Sequence, residues 1–303
     1  MTVCRLRAKS NRQPYINMTE PVHQSPPKTD VLQWGQRLIT VLLLAGLCVV
    51  LVQILFKPAL PQAVAALKDV PGNCSSGLSG KPGRHADLHT HSGLGFSVIT
   101  PSNYSVQNKY GLVMVFPPAG FSAESAERYY QLTARANAQG YVVVYSAAIA
   151  LSTRALRMQH EVVPQVMATW CIDPSRIVFA GHSDGGSVTA GLTVRETDHS
   201  LQPTHVVISA AGITAEDLAQ EKCPAPLNVT LLHNPDDELF PAYGQGAAKW
   251  WGQCMQCKAE VITEASGCLV RQCAGQKLLR YCATSEPHTK WPSVTAHMFE
   301  WLD

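Results

Sequence analysis

Length, composition and charge set the first limits on this chain. Its 303 residues are too many for one small domain and too few for two full ones. The formal net charge of +2 gives no argument for a nucleic-acid partner. The 21 glycines and 20 prolines are an ordinary content for a loop-rich α/β protein.

The N-terminal region contains a predicted membrane span. Residues 38–56 carry no charged side chain and are bracketed by Arg37 and Lys57. A helix of this length crosses the hydrocarbon core of a bilayer. Lysine and arginine are more frequent before this run than just after it, so the positive-inside rule predicts a cytoplasmic N terminus. Everything after residue 57 is then expected in the periplasm or outside the cell.

A cleaved signal peptide is the competing interpretation of the same run. Ala63-Val64-Ala65 resembles a cleavage site, but the preceding leader is too long and the apolar run exceeds a usual signal core. We therefore favour an uncleaved signal anchor. Residues 1–37 are predicted to be a disordered cytoplasmic tail. Residues 57–90, which contain several prolines, are predicted to be a linker.

Eight of the ten cysteines follow the predicted span. An even number of exported cysteines indicates an oxidising compartment and up to four disulfides, without revealing their pairing. The spacings of Cys254 with Cys257 and of Cys268 with Cys273 also allow a zinc knuckle or a redox pair. Export favours structural disulfides over both.

From about residue 91, apolar strands alternate with helical segments. The predicted strands are residues 95–100, 112–116, 141–146, 176–180, 205–210, 228–233 and 260–263. The predicted helices are residues 122–139, 159–169, 183–194, 215–220, 243–251 and 292–302. This alternation predicts an α/β fold with a mostly parallel sheet covered by helices on both faces.

The most informative stretch is RIVFAGHSDGG, residues 176–186. An apolar strand leads into Gly181-x-Ser183-x-Gly185, and a segment of small residues follows. Strand, sharp turn and helix form the context of a nucleophile elbow, in which the serine hydroxyl projects above the sheet. The glycines are needed where the strand and the helix approach each other. The alternative is a glycine-rich loop that binds phosphate.

A serine hydroxyl needs an oriented base to become a nucleophile. In the order serine, acid, histidine, the acid is expected after a later strand. The loop after residues 228–233 offers Asp236, Asp237 and Glu238. We select Asp237 as the acid and keep Asp236 as the second choice.

Two histidines follow this loop in the chain. His288 lies in a loop before the last predicted helix, where a general base is expected, and we assign that role to it. His297 falls within the helix and is interpreted as structural. Trp291, beside the base, and His182, beside the serine, are expected to line the substrate pocket. For Trp291, simple packing is the alternative.

The oxyanion formed during attack needs backbone donors. The N–H of Asp184, at the start of the helix after the serine, is the first candidate. The loop after residues 112–116 reads Pro117-Pro118-Ala119-Gly120. Because proline has no N–H, the second donor must be Ala119 or Gly120.

From about Gly95 to its end, the chain resembles the polyhydroxybutyrate depolymerase and feruloyl or acetylxylan esterase group of α/β-hydrolases. The stretches that carry this resemblance are LVMVFPPAGFSAE (112–124), CIDPSRIVFAGHSDGG (171–186), LLHNPDDELFP (231–241) and HTKWP (288–292). The resemblance implies an α/β-hydrolase domain over residues 91–303. It implies a serine esterase with the triad Ser183, Asp237 and His288, acting without a cofactor on small or oligomeric esters.

Two departures from the family pattern touch the rim of the expected site. Pro117-Pro118 replaces the usual His-Gly, and Lys290 is inserted before the Trp-Pro pair. The altered oxyanion loop keeps open a membrane-anchored binding protein without catalytic activity. Against this, all three triad residues are present.

A second motif offers a different chemistry. Residues 85–91 read His-Ala-Asp-Leu-His-Thr-His and resemble the opening metal motif of PHP-type phosphoesterases. Imidazoles two apart on a strand can share a metal. The remaining histidines do not fall in the pattern that such a metal-dependent hydrolase requires, so a polar segment before the first strand is the preferred interpretation.

Overall fold

The computed structural model describes residues 60–67, 70–72, 74, 76–195 and 202–302. The predicted cytoplasmic tail and the span at residues 38–56 lie outside these residues and stay predictions. Within the described residues, no helix has the length and apolar character needed to cross a bilayer.

The described strands form one mixed sheet. They are β1 (Val70–Pro71), β2 (Arg84–His89), β3 (Gly95–Ile99), β4 (Asn108–Phe116), β5 (Tyr141–Ser146), β6 (Ile172–His182), β7 (His205–Ser209), β8 (Asn228–His233), β9 (Ile262–Thr263), β10 (Leu269–Gln272) and β11 (Leu278–Ala283). Their order is β2-β3-β5-β4-β6-β7-β8-β11-β10-β9, and β1 pairs with β4. In this spatial order, the six neighbouring strands β5, β4, β6, β7, β8 and β11 are parallel. Antiparallel strands extend the sheet on both sides of them.

Helices cover both faces of this sheet, as the alternating pattern predicts. The described helices are α1 (Ala123–Tyr130), α2 (Thr133–Ala138), α3 (Thr153–His160), α4 (Val162–Met167), α5 (Asp184–Arg195), α6 (Ala215–Leu218) and α7 (Tyr243–Cys254). Along β4, Leu112 and Met114 belong to the buried cluster that includes side chains of α3, α4, α5 and α7, whereas Val113 and Val115 belong to the cluster that includes side chains of α1 and α2. This alternation is the two-residue period of a strand buried on both faces.

The helix predictions were too coarse at three places. Residues 122–139 form two helices, because Gln131 adopts a left-handed conformation with φ of 52° and ends α1. Residues 159–169 overlap α3 and α4, and the ring of Pro164 in α4 has no N–H to continue the ladder from α3. The predicted terminal helix is a 3-10 segment, Ser293–Glu300.

The segment predicted as a linker, residues 57–90, belongs to the domain in its described part. Its strand β1 pairs with β4 and its strand β2 pairs with β3, so in the described residues the sheet begins at Val70 rather than near residue 91. The Arg84 guanidinium pairs with the fully buried carboxylate of Glu127 on α1. Cys74 forms a disulfide with Cys171. These contacts fix the segment to both the sheet and a helix.

Four disulfides join the eight cysteines of the described residues. The pairs are Cys74–Cys171, Cys223–Cys254, Cys257–Cys273 and Cys268–Cys282. Cys254 does not pair with Cys257, and Cys268 does not pair with Cys273, although these spacings suggested a zinc knuckle or a redox pair. Each of these cysteines forms its disulfide with a more distant cysteine. Structural disulfides are therefore the correct interpretation.

The topology brings three loops to one edge of the sheet. Strands β8 and β11 are parallel neighbours, with His233 opposite Ala283 at their carboxyl ends. Strand β6 ends at His182, which pairs with Ser209 at the end of β7. Because parallel strands end at the same edge, the loops after β6, β8 and β11 lie together there.

Candidate active site

Ser183 occupies a sharp turn between β6 and α5. It has a φ of 57°, in the left-handed region that non-glycine residues rarely adopt. A Cβ on Gly181 would lie 2.0 Å from the Gly185 carbonyl oxygen, and one on Gly185 would lie 2.0 Å from that of Phe116. Both glycines are therefore required by close backbone approach. The structure has the strand, turn and helix that the motif predicts.

A continuous hydrogen-bond chain starts at the Ser183 hydroxyl. His288 Nε2 lies 2.8 Å from Ser183 Oγ, and His288 Nδ1 lies 2.8 Å from Asp237 Oδ2. The other carboxylate oxygen of Asp237 accepts from the N–H groups of Leu239 and Phe240, each at 2.9 Å. These distances suit proton transfer from serine to imidazole and orientation of the imidazole by the carboxylate.

Asp237 is held in its ionised form. Burial raises the pKa of this carboxyl, but the hydrogen bonds from His288 and from two backbone N–H groups outweigh it and leave the pKa below its ordinary value. A buried carboxylate beside Nδ1 is suited to stabilise the imidazolium that forms when His288 accepts a proton.

The other acids and the other histidine lie apart from this chain. Asp236 is exposed. Glu238 accepts from the backbone N–H of His288 at 3.2 Å and does not contact its ring nitrogens through any hydrogen bond in the described residues. His297 is exposed and hydrogen-bonds to Glu300 at 2.9 Å. It is therefore a surface residue rather than a core histidine.

The loop after β4 lies against the first turn of α5. A Cβ on Gly185 would also lie 2.8 Å from the Pro117 carbonyl oxygen. Ala119 and Gly120 are exposed in the turn that follows, where Gly120 has a φ of 76°. The Ser183 N–H donates to the Ser209 carbonyl at 3.0 Å, which leaves the Asp184 N–H as the next donor of the helix start. The expected oxyanion loop thus borders the nucleophile turn.

His182 lies in a buried, hydrogen-bonded environment. Only 2% of its surface is exposed and both ring nitrogens are hydrogen-bonded, and its role in lining the substrate pocket stays a prediction. Nδ1 lies 2.9 Å from Ser209 Oγ, and Nε2 lies 2.6 Å from the His288 carbonyl oxygen. Burial lowers the pKa of His182 to about 4, so the ring is neutral at physiological pH.

Aromatic side chains surround the triad. The half-buried Trp291 ring packs edge-on against Tyr130 with ring centroids 4.7 Å apart. Its contacts therefore include the packing alternative, and its pocket role stays a prediction. Phe240 packs edge-on against His288 at 5.3 Å, and Leu239 beside it is 59% exposed. Phe240 therefore gives the base an apolar neighbour.

Two residues around the site, Tyr130 and Ser209, were missed from the sequence. Tyr130 Oη donates to the Phe116 carbonyl and accepts from the His182 N–H, both at 2.8 Å. Ser209 contacts the His182 ring, and Glu238, considered from the sequence only as a candidate acid, accepts from the backbone of His288. A serine at the end of the apolar strand β7 was a usable signal for a buried polar contact. Nothing in the sequence around Tyr130 indicated its two hydrogen bonds.

The histidines of residues 85–91 do not gather at a metal site. His85 and His89 hydrogen-bond to the backbone carbonyls of Lys81 and Asp87. A register shift between His85 and Leu88 breaks the alternation of β2. Throughout the described part of the chain, no three histidine, cysteine or acidic side chains converge as a metal ion would require.

Comparison with known proteins finds likeness in structure rather than in sequence. The sequence matches no family model and no curated protein. An acetyl xylan esterase from Aspergillus awamori has a TM-score of 0.58 at 12% identity, covering 74% of this chain and 99% of that one. The chain has the α/β-hydrolase fold. The fold prediction is therefore confirmed for the domain.

Two further solved structures share this fold. A truncated carbohydrate esterase from gut microbiota has a TM-score of 0.51 at 11% identity, covering 76% of this chain and 98% of that one. The fluorophosphonate-binding serine hydrolase F of Staphylococcus aureus has a TM-score of 0.50 at 12% identity, with coverages of 72% and 96%. At such identities the likeness concerns the fold, so the activity has to be argued from the site.

Proposed function

We propose that this chain is a serine hydrolase that cleaves carboxylic esters through an acyl-enzyme intermediate. The main support is the continuous series of hydrogen bonds from Ser183 Oγ through His288 to Asp237, each of 2.8 Å. Ser183 stands on a strained turn that exposes its hydroxyl to a substrate. The esterases and the serine hydrolase among the solved structures of this fold support the same chemistry. The reaction needs no cofactor.

The mechanism follows from the positions of the three side chains. His288 Nε2 takes the proton of Ser183 Oγ as this oxygen attacks the ester carbonyl carbon. Asp237 holds Nδ1 and stabilises the imidazolium. The N–H of Asp184 and that of Ala119 or Gly120 stabilise the oxyanion. The imidazolium then protonates the leaving alcohol, and a water activated by His288 releases the acid.

A groove beside α5 suggests where part of the substrate binds. It has a volume of about 360 Å³ and is lined by Leu151, Leu156, Ser187 and Ile213 among others. Ser187 lies one helical turn after Ser183, so this end of the groove is on the nucleophile side of α5. A groove of this size fits a small or oligomeric ester. The four resembling stretches favour hydroxyalkanoate, feruloyl or acetyl esters.

We also propose that the enzyme acts outside the cytoplasm, tethered by residues 38–56. Four disulfides in the described residues fit an oxidising compartment. Protease protection of the N-terminal tail in intact cells, with the domain accessible from outside the inner membrane, tests this orientation.

The activity is tested by labelling the full chain with a fluorophosphonate under oxidising conditions. We expect the parent to be labelled and the Ser183→Ala and His288→Ala variants to lose the label. Ser285→Ala and His297→Ala are matched controls, because both residues are exposed in the same C-terminal region, and we expect them to retain it. A folded parent that stays unlabelled would reject the hydrolase and favour a non-catalytic binding protein.

A further inference from the structure

His288 is held at four points by two pairs of consecutive residues. Its side chain contacts Ser183 through Nε2 and Asp237 through Nδ1. Its backbone contacts the neighbours of those same residues. The carbonyl oxygen of His288 lies 2.6 Å from His182 Nε2. The backbone N–H of His288 donates to the Glu238 carboxylate at 3.2 Å.

We propose that His182 is a positioning residue, which fixes the backbone of the base loop to the nucleophile turn. Glu238 performs the same task from the acid loop. This inference rests on the proposed function. Each residue acts through His288 and contacts no reacting atom itself.

The hydrogen bonds of His182 permit one tautomer. The His288 carbonyl can only accept, so Nε2 of His182 must carry the proton. Nδ1 then accepts from the Ser209 hydroxyl at 2.9 Å. Burial keeps the ring neutral, since its pKa is lowered to about 4. With both nitrogens paired in a buried site, the ring orientation is fixed.

This contact matters because the base is on a loop. His288 lies between the end of β11 at Ala283 and the 3-10 segment that begins at Ser293. Asp237 sets the rotation of the imidazole, but it does not fix the position of the backbone that carries the ring. The hydrogen bond from the His182 ring connects that backbone to the nucleophile turn, because His182 directly precedes Ser183. The distance between base and nucleophile is thereby set within one buried network.

The same network continues to the oxyanion loop. The His182 N–H donates to Tyr130 Oη, which donates in turn to the carbonyl of Phe116 at the end of β4. His182 thus joins the base loop to the nucleophile turn with its side chain, and the nucleophile strand to the oxyanion strand through its backbone. Its ring is buried, whereas Glu238 is exposed, so His182 should have the larger effect.

The test compares side-chain variants of the full chain with its disulfides formed, using p-nitrophenyl acetate. His182→Leu should lower kcat by about 10²-fold, the effect of misplacing a catalytic group by about 1 Å, with KM little changed. His182→Gln should recover most of the loss, because its amide nitrogen reaches the place of Nε2. Glu238→Ala should lower kcat by less than His182→Leu. A folded His182→Leu variant with parental kcat, or a His182→Gln variant as slow as His182→Leu, would overturn the proposal.

A second measurement applies even if the leucine variant does not fold. In the full-chain Ser183→Ala protein, nitrogen NMR of the imidazoles should show His182 neutral and protonated on Nε2 at pH 6. Protonation on Nδ1 would refute the contact with the His288 carbonyl. A parent that fluorophosphonate does not label would reject the proposed function and the positioning role with it. An active parent with an unaffected His182→Leu variant would reject this inference alone.

Discussion

Two regions of the sheet are held by different kinds of bond. The first is the catalytic edge, at the carboxyl ends of β6, β8 and β11. The second is the C-terminal edge, the side of the sheet formed by β9, β10 and β11. At the catalytic edge, the loops that carry Ser183, Asp237 and His288 are joined by hydrogen bonds between buried groups. At the C-terminal edge, strands β9, β10 and β11 lie in a region with three of the disulfides found in the described residues, between Cys223 and Cys282. The difference corresponds to the amount of apolar surface that each region can bury.

The C-terminal edge has little apolar area of its own. Strand β9 has two residues and β10 has four, and Ile262 and Leu269 on them are 61% and 43% exposed. Short exposed strands gain little from burial, so crosslinks that restrict the unfolded chain stabilise them. The catalytic edge lies at the ends of long buried strands, where hydrogen bonds pair the buried polar groups. Catalytic geometry and stability should therefore be separable by mutation.

The largest expected effect comes from Asp237→Asn at the catalytic edge. An asparagine keeps the shape but no longer stabilises the imidazolium or selects the right tautomer, so kcat should fall by about 10⁴-fold. Ester hydrolysis by purified protein measures it. Asp236→Asn is the matched control, since Asp236 is exposed one residue away, and it should keep parental kcat. Equal losses in both variants would show that the loop, rather than the carboxylate, was damaged.

Removing a crosslink at the C-terminal edge should have the opposite profile. The Cys268–Cys282 disulfide closes a separation of 14 residues. The double variant Cys268→Ala, Cys282→Ala should lower the free energy of unfolding by about 3 kcal/mol. Its kcat well below the melting temperature should stay close to that of the parent. Urea denaturation and kinetics on the same sample decide this, and a loss of kcat at full folding would contradict the separation of the two regions.

An ion pair at the C-terminal edge should add a smaller, pH-dependent contribution. Arg280, whose side chain is buried, donates to both carboxylate oxygens of Glu264 at 2.9 and 2.8 Å. These hydrogen bonds lower the pKa of Glu264 below its ordinary 4.5. Glu264→Gln should cost about 2 kcal/mol at pH 7, the range for hydrogen bonds to charged groups.

The pH dependence identifies the charge as the cause. A carboxyl whose folded pKa is lowered stabilises the protein fully above its ordinary pKa and loses that contribution as the pH falls through the folded value. The difference in unfolding free energy between parent and Glu264→Gln should therefore shrink below pH 4.5. A difference that stays constant down to pH 3 would indicate lost packing instead.

The sequence identified the parts of the site that depend on local chain order. The turn at Ser183 needs small residues at fixed offsets, and the loops with Asp237 and His288 follow recognisable patterns. Tyr130 and Ser209 could not be found this way. Their contacts join residues 14 and 27 positions apart, and only the packed sheet brings these together. The hydrogen bonds of His182 were not predicted either, because they join its buried ring to Ser209 and to the His288 carbonyl, 27 and 106 positions away.

The missed strands have a related cause. Strand β2 contains His85, Asp87 and His89, and β10 and β11 contain Arg271 and Arg280. Charged and polar residues conceal a two-residue alternation of apolar residues. The buried Arg280 is paired with Glu264, 16 residues earlier in the chain. A pattern read along the chain cannot include such a partner, so β2, β10 and β11 were absent from the predicted strands.

The smallest expected effect concerns selectivity at the groove beside α5. Ile213 lines this groove, and its neighbour Gly212 lies against Phe240, whose ring packs on His288. Ile213→Trp should shorten the groove and lower kcat/KM for a long-chain p-nitrophenyl ester by about tenfold relative to the acetate. Ile262→Trp on the exposed strand β9 is the control and should leave the ratio unchanged. If Ile213→Trp reduces both esters equally, the groove does not hold the acyl chain and the substrate must extend past Leu239 and Phe240 instead.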